Sequence, residues 1–362
     1  MCRRVFSYTT FKRCQNIVPS YIMKNFILFL ALVFAGAGVW WFLGHPGFQY
    51  LTTLPAEKKA ETTAGKYSGK KILYIDSYHQ GYDWSDGITK GIHSILDGSG
   101  ALLEIVRMDT KQNPEESFKK DAALKAKAEI ESFKPDVLIV SDDNAFSYLV
   151  KEYYRDAALP IVFSGLNWDA SLYGAPYKNT TGMVEVSLTN QIIDHLKGFA
   201  KGNRLGYISA DNETERKNLT YYGSLLGITF DKSYFVKDFS AWREQFKQLQ
   251  GEVDMIIFEN NAGIANWDEG AAESFALAET RVPVGTTNPW IMNYALLGIT
   301  KIPEEQGEWS AEAALKILDG TPPSSIPLVK NKRGKLIVNF KIANKLDIVF
   351  APSVLRNAEV IK

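Results

Sequence analysis

The chain has 362 residues, carries 41 Lys and Arg against 41 Asp and Glu, and is 46% hydrophobic. Zero net charge excludes a protein that coats nucleic acid through bulk basicity. The apolar content excludes a disordered chain, and the length suffices for one large domain or two medium ones, each with its own core.

The charges are unevenly spread. Five basic residues (Arg3, Arg4, Lys12, Arg13, Lys24) and no acidic one precede Asn25. Phe26–Leu43 then runs for 18 residues without a charge, which as a helix spans roughly 27 Å, enough for a bilayer core. Basic residues ahead of an apolar run predict a cytoplasmic N-terminus and export of the chain beyond the run. Ala35-Gly36-Ala37 would suit cleavage after Ala37, as in a signal peptide. Continuation through Trp40, Trp41 and Leu43 favours an uncleaved anchor, with the Trp pair at the membrane interface. Residues 1–25 therefore read as a cytoplasmic leader, 26–43 as a signal anchor or signal peptide, and 44–69 as a tether of Gly, Pro, Thr and charge. Beyond the apolar run 36 basic residues face 41 acidic ones, a mildly acidic exported part. Both cysteines, Cys2 and Cys14, precede the run, and His45, His79, His93 and His195 are scattered. No disulfide, metal or other cofactor is expected in the exported part.

From residue 70 onward strand-type apolar runs recur at 72–75, 102–106, 137–140, 161–163, 182–186, 205–208, 255–258 and 282–284. Helical spacing fills 86–97, 115–133, 187–200, 214–226, 240–250 and 268–280. Strand and helix in alternation predict an α/β fold with mainly parallel sheets flanked by helices. So long an alternation predicts two lobes, with crossings near Asn179–Val186, Val284–Asn288 and Pro322–Pro327. Lobe 1 is read as 70–182 plus 286–325, and lobe 2 as 183–285 plus 326–362. The basic stretch Lys330–Lys335 is read as a solvated hairpin.

Ligands of open α/β sheets sit beyond the carboxyl ends of strands. Those edges carry Ser77, Tyr78, Tyr82 and Trp84; Asp142, Asp143 and Asn144; Gly165, Asn167 and Trp168; Asn212; Glu259 and Asn260; and Asn288 and Trp290. Asp, Asn, Ser and Gly suit turns and helix caps for purely structural reasons, and Ser85 or Asp86 is placed to cap the first helix. Turns do not require Trp, whereas clefts use it for stacking and cation–π contact. The candidate edges hold Asp86, Asp142, Asp143 and Glu259 but no arginine. This points to a neutral or amine-bearing ligand, such as an amino acid.

These residues also carry a resemblance. SYHQGYDWSDGI (77–88), MDTK (108–111), PDVLIVSDDNAF (135–146), LPIVFSGLNWD (159–169), NTTGMVE (179–185), EQGEWSAEAALKILDG (305–320) and LIVNFKIANKLDI (336–348) occur in order. Together they resemble the ABC-transporter substrate-binding-protein-like family, close to its branch of extracytoplasmic sensor domains. The resemblance implies a two-lobed type I periplasmic-binding-protein fold that closes over a small molecule, delivered to an ABC permease. It implies that Tyr78, Tyr82, Trp84, Asp142–Asn144 and Gly165–Trp168 line the first lobe's wall. The alternative is a ligand-sensing subunit for a separate membrane kinase or cyclase, since the chain carries no such module of its own. No G-x-S-x-G, H-E-x-x-H or G-x-x-x-x-G-K-[ST] motif is present. The adjacent Asp142 and Asp143 point in different directions from a strand end, so a cleft enzyme is the least supported reading.

Overall fold

The computed structural model describes residues 65–362. The leader, the apolar segment 26–43 and the tether up to residue 64 lie outside the described residues. The last residues assigned to the tether are built into the fold: the Tyr67 backbone N–H donates to Ser99 O at 3.0 Å, and Lys66 pairs with Asp319 at 2.7 Å. No helix among the described residues is long and apolar enough to cross a membrane.

The strands in chain order are β1 (Lys71–Asp76), β2 (Leu102–Arg107), β3 (Val137–Ser141), β4 (Ile161–Asn167), β5 (Thr180–Glu185), β6 (Leu205–Ala210) and β7 (Lys232–Val236). They continue with β8 (Met255–Phe258), β9 (Val284–Thr286), β10 (Leu297–Lys301), β11 (Val329–Lys330), β12 (Gly334–Asn339) and β13 (Ala358–Ile361). One sheet has the order β11-β5-β4-β3-β1-β2, and the other has β13-β12-β10-β9-β8-β6-β7. Every neighbouring pair is parallel except β10 with β12.

Burial on both faces explains why these strands are apolar without alternation. In the first sheet Ile72, Tyr74, Val137 and Ile139 turn to one face and pack with Ile88, Ile92, Ala311 and Ala314. Leu73, Ile75, Leu138 and Val140 turn to the other and pack with Ala123, Ala126, Ile130 and Phe146. The first face is covered by α1 (Asp83–Leu96), the second by α2 (Glu116–Phe133) and by α3 (Asp142–Ala145), which runs on as a π-helix over Phe146–Tyr154. In the second sheet the fully buried Trp242 anchors one face with Phe246, Ile256 and Phe258, and Tyr207 and Tyr222 pack on the other.

Helix α1 begins at Asp83, three residues before the spacing predicted, and neither Ser85 nor Asp86 caps it. The Ser85 hydroxyl donates to buried Asp76 Oδ1 at 2.8 Å, while Asp86 accepts the Gly81 N–H at 3.0 and 3.2 Å. The second lobe supplies α4 (Thr189–Lys197), α5 (Glu213–Leu226), α6 (Phe239–Glu252) and α7 (Glu269–Glu279). The chain then returns to the first lobe as α8 (Pro303–Leu318). Helices α1 and α8 are in near-backbone contact. A Cβ at Gly91 would meet Glu304 O at 2.2 Å, and one at Gly307 would meet Ile88 O at 2.0 Å.

Strand order moves the lobe boundaries. Glu185 still belongs to β5 of the first sheet, so the first crossing spans 186–188, not 182–183. Strands β9 and β10 both remain in the second sheet, so the return crossing is Ile302, not the 284–288 run. The Asn288-Pro289 break opens a 3-10 turn (Pro289–Tyr294) inside that lobe instead. The third crossing is the basic stretch itself. Val329–Lys330 pairs with β5, whereas Gly334–Asn339 pairs with β10 and β13, so the segment links two sheets and is not a hairpin. Glu305 of α8 holds it, accepting the N–H groups of Lys332 at 3.0 Å and Arg333 at 2.8 Å.

Candidate functional site

The carboxyl ends of β1, β3, β4 and β5 face those of β8 and β9 across a cleft with two adjoining chambers. The first has a volume of about 490 Å³ and is lined by Tyr78, Tyr82, Trp84 and Asp142 from one lobe and Asn288, Trp290 and Lys301 from the other. The second, about 290 Å³, is lined by Trp168, Glu215, Tyr222, Glu259 and Asn260. Asn167, Glu185, Thr287, Asn288, Trp290 and Lys301 border both. These are ligand-sized spaces at an interlobe seam.

Five aromatic residues named from the sequence (Tyr78, Tyr82, Trp84, Trp168 and Trp290) line the two chambers. Tyr78 and Tyr82 meet edge to face at 5.4 Å. Trp290 is 55% exposed, and its Nε1 donates to Asn260 Oδ1 at 3.3 Å. Trp168 packs at 5.4 Å on both Tyr221 and Tyr222.

Asp142 is the most buried residue lining the first chamber. It is 2% exposed, and it opens α3 with a left-handed φ of 67°, a conformation that costs a non-glycine residue roughly 1–3 kcal/mol. Its Oδ1 accepts from Trp84 Nε1 at 3.0 Å; its Oδ2 has no partner. Burial pushes its pKa well up, Glu185 and Asp76 push it further, and only the Trp84 hydrogen bond opposes them. Gly165 makes room for this carboxyl: at φ 70° it lies where an added Cβ would sit 2.8 Å from Asp142 Oδ1.

Glu259 holds the equivalent place in the second chamber. It is 5% exposed, and its Oε2 is unpartnered. Its Oε1 accepts from Thr287 and from Asn288 Nδ2 at 3.3 Å. Burial drives its pKa up to about 7, against the pull of Thr287, Tyr222 and Lys301. Glu215, 3% exposed, accepts from Asn260 Nδ2 at 3.0 Å and from the Tyr207 hydroxyl at 3.3 Å. Between the chambers Lys301 of β10 pairs with Glu185 of β5, an ion pair that joins the two sheets at the cleft.

Several residues singled out in the sequence have structural partners instead. Ser77 is fully buried, donates to Ser141 O at 2.6 Å and accepts from Ala145 N at 2.8 Å. Asp143 receives the Asn167 N–H at 3.0 Å and its side-chain amide at 2.8 Å. Asn144 donates to Thr110 Oγ1 at 2.8 Å. Asn212 caps α5 by accepting from Glu215 N at 2.9 Å. None of these four, nor Gly165, lines either chamber. The structure adds residues that strand-end reading missed: Asp83, Lys111, Glu185, Glu215, Tyr222, Thr287 and Lys301. Glu185, the last residue of a strand, was within reach of that reading. Lys301 was not, because the sequence pattern predicts no strand over 297–301.

The profile of the family described as ABC transporter substrate binding protein matches residues 82–362. The chain belongs to this family. No curated protein sequence matches it. Among solved structures, it is similar to the ligand-free, open form of a substrate binding protein with adhesive properties from Clostridium difficile. That likeness has TM-score 0.62 and 18% identity, over 81% of this chain and 99% of that one. A conserved domain protein from Vibrio cholerae aligns at TM-score 0.50 and 19% identity, over 81% and 99%. An ABC domain in complex with L-Trp from Streptococcus pneumonia aligns at TM-score 0.49 and 16% identity, over 81% and 100%. At such identities the likeness concerns the fold. The substrate-binding-protein chain thus has the two-lobed type I periplasmic-binding-protein architecture, and its family is one of binding proteins.

Proposed function

We propose that this chain is an extracytoplasmic solute-binding protein that captures a small amine-bearing molecule, such as an amino acid, by closure of the two lobes. The segment 26–43 holds it at the membrane or is removed after export, and the closed form is read by an ABC permease. The observation that carries the reading is the two-chambered cleft: aromatic walls from both lobes, buried carboxylates and no arginine among its lining residues. The three interlobe crossings are short, which suits a hinge, and a ligand that contacts both walls favours the closed state. Native mass spectrometry of the purified protein with co-purifying ligand tests it, backed by tryptophan fluorescence against a metabolite panel. A bound amine recovered unchanged supports capture without turnover. A cleft that answers to no compound in fluorescence or thermal shift refutes the reading.

A second reading, a sensory subunit for a separate membrane kinase or cyclase, rests on the apolar segment 26–43 and the sensor-type motifs. Genes for a permease and an ATPase beside this one favour transport. Genes for signalling proteins favour sensing.

A further inference from the structure

The cleft contains two carboxylates in the same unusual condition, one on each lobe. Asp142 and Glu259 are each at least 95% buried, each borders its own chamber, and each keeps one oxygen without a hydrogen-bond partner. An ionised carboxylate left in that state costs several kcal/mol unless a cation reaches it. The described cations nearest the cleft have closer partners of their own. Lys301 is paired with Glu185, Arg107 lies 3.5 Å from Asp76, and the Lys111 ammonium sits over the Tyr78 and Tyr82 rings at 5.3 and 5.2 Å. Around the two chambers five carboxylates face two lysines, with no arginine or histidine. The chambers adjoin, with Asn167, Glu185, Thr287, Asn288, Trp290 and Lys301 bordering both.

Building on the proposed solute-binding role, we infer that the ligand is an organic dication: two primary amines separated by an apolar body. One ammonium meets Asp142 in the first chamber, and the other meets Glu259 in the second. The spacer lies along the shared wall beside Trp290 and Asn167. Because the two carboxylates belong to different lobes, such a ligand ties the lobes together through both of its charges.

Calorimetric titration of the purified protein with α,ω-diaminoalkanes of three to eight carbons, matched n-alkylamines and zwitterionic amino acids tests this. The expected result is a diamine of preferred length that binds at least about tenfold more tightly than its monoamine. Asp142→Asn and Glu259→Gln should each erase that advantage, bringing the diamine down to the affinity of its monoamine for the same variant. Should Asp142→Asn fail to fold, Glu259→Gln alone decides, with its melting temperature as the control. Monoamines or zwitterions that bind as tightly as every diamine overturn the dication and leave the solute-binding role standing. Failure of every amine to bind, together with an unresponsive tryptophan signal, overturns both.

Discussion

Exchange of Glu259 for Gln removes a titration that the fold imposes. An unfolded chain ionises this carboxyl near its ordinary value of 4.5, whereas burial in the second chamber delays ionisation to about 7. Between those values the folded protein holds a proton that the unfolded chain has released. Stability from this group is therefore complete below pH 4.5 and is lost as pH rises through 7. At about 1.4 kcal/mol per pH unit the gap corresponds to about 3 kcal/mol, with the help that ionised Glu259 draws from Lys301 and Tyr222 already included. Gln keeps an acceptor for Thr287 and Asn288 and has no charge to lose. Urea denaturation of the ligand-free protein and of Glu259→Gln at pH 4.5, 6 and 8 isolates the effect, since the other carboxylates titrate alike in both. The variant should gain on the parent by about 2–3 kcal/mol between pH 4.5 and 8. A difference that stays constant across that range would refute the burial argument.

Other outcomes rest on the same geometry. Gly165→Ala places a Cβ 2.8 Å from Asp142 Oδ1 at a left-handed φ; it should cost about 1–3 kcal/mol in chemical denaturation and weaken ligand binding by displacing that carboxyl. Lys301→Met strands Glu185, whose side chain is 10% exposed, and should cost about 1–3 kcal/mol, recovered in part by the double change with Glu185→Gln. Trp290→Ala removes a half-exposed ring; stability should move by less than about 0.5 kcal/mol, while affinity measured by calorimetry falls about tenfold or more. Glu305→Ala frees the backbone N–H groups of Lys332 and Arg333 and should widen the range of interlobe distances seen by spin labels, leaving ligand-free unfolding nearly unchanged.

Most of the fold was legible because both faces of each sheet are covered. A strand such as Val137–Ser141, buried along its whole length, cannot be mistaken for a solvated segment. Other strands gave no such signal. Lys232–Val236, at a sheet edge, begins with two exposed residues. Strand Leu297–Lys301 lies just after a Pro-Trp turn that resembles a lobe boundary. The antiparallel return of Gly334–Asn339 is hidden behind Lys330–Arg333, whose charge reflects an exposed crossing and says nothing of which sheet comes next. At the site, Trp84 and Trp290 were conspicuous because turns do not need them. Asp142 and Asp143 looked equivalent in sequence, yet one has an oxygen without a partner and the other is engaged by Asn167. Asp142 alone of the two has a left-handed backbone, which the sequence does not reveal.

The return of the chain through α8 and β11 bears on how this protein comes into being. Helix Pro303–Leu318 covers the face of Ile72, Tyr74, Val137 and Ile139, and Val329–Lys330 adds the last strand beside β5. Both are made after the whole of β6–β10. A nascent chain that stops before residue 303 therefore has a first lobe with one apolar face covered by α1 alone, while most of the second sheet already exists. Contacts this distant in sequence slow folding and prolong the exposure of apolar surface that invites aggregation. Synthesis from the N-terminus thus postpones completion of the first lobe until α8 and β11 emerge. Under the proposed export the chain stays unfinished, and so threadable, until α8 and β11 have been made.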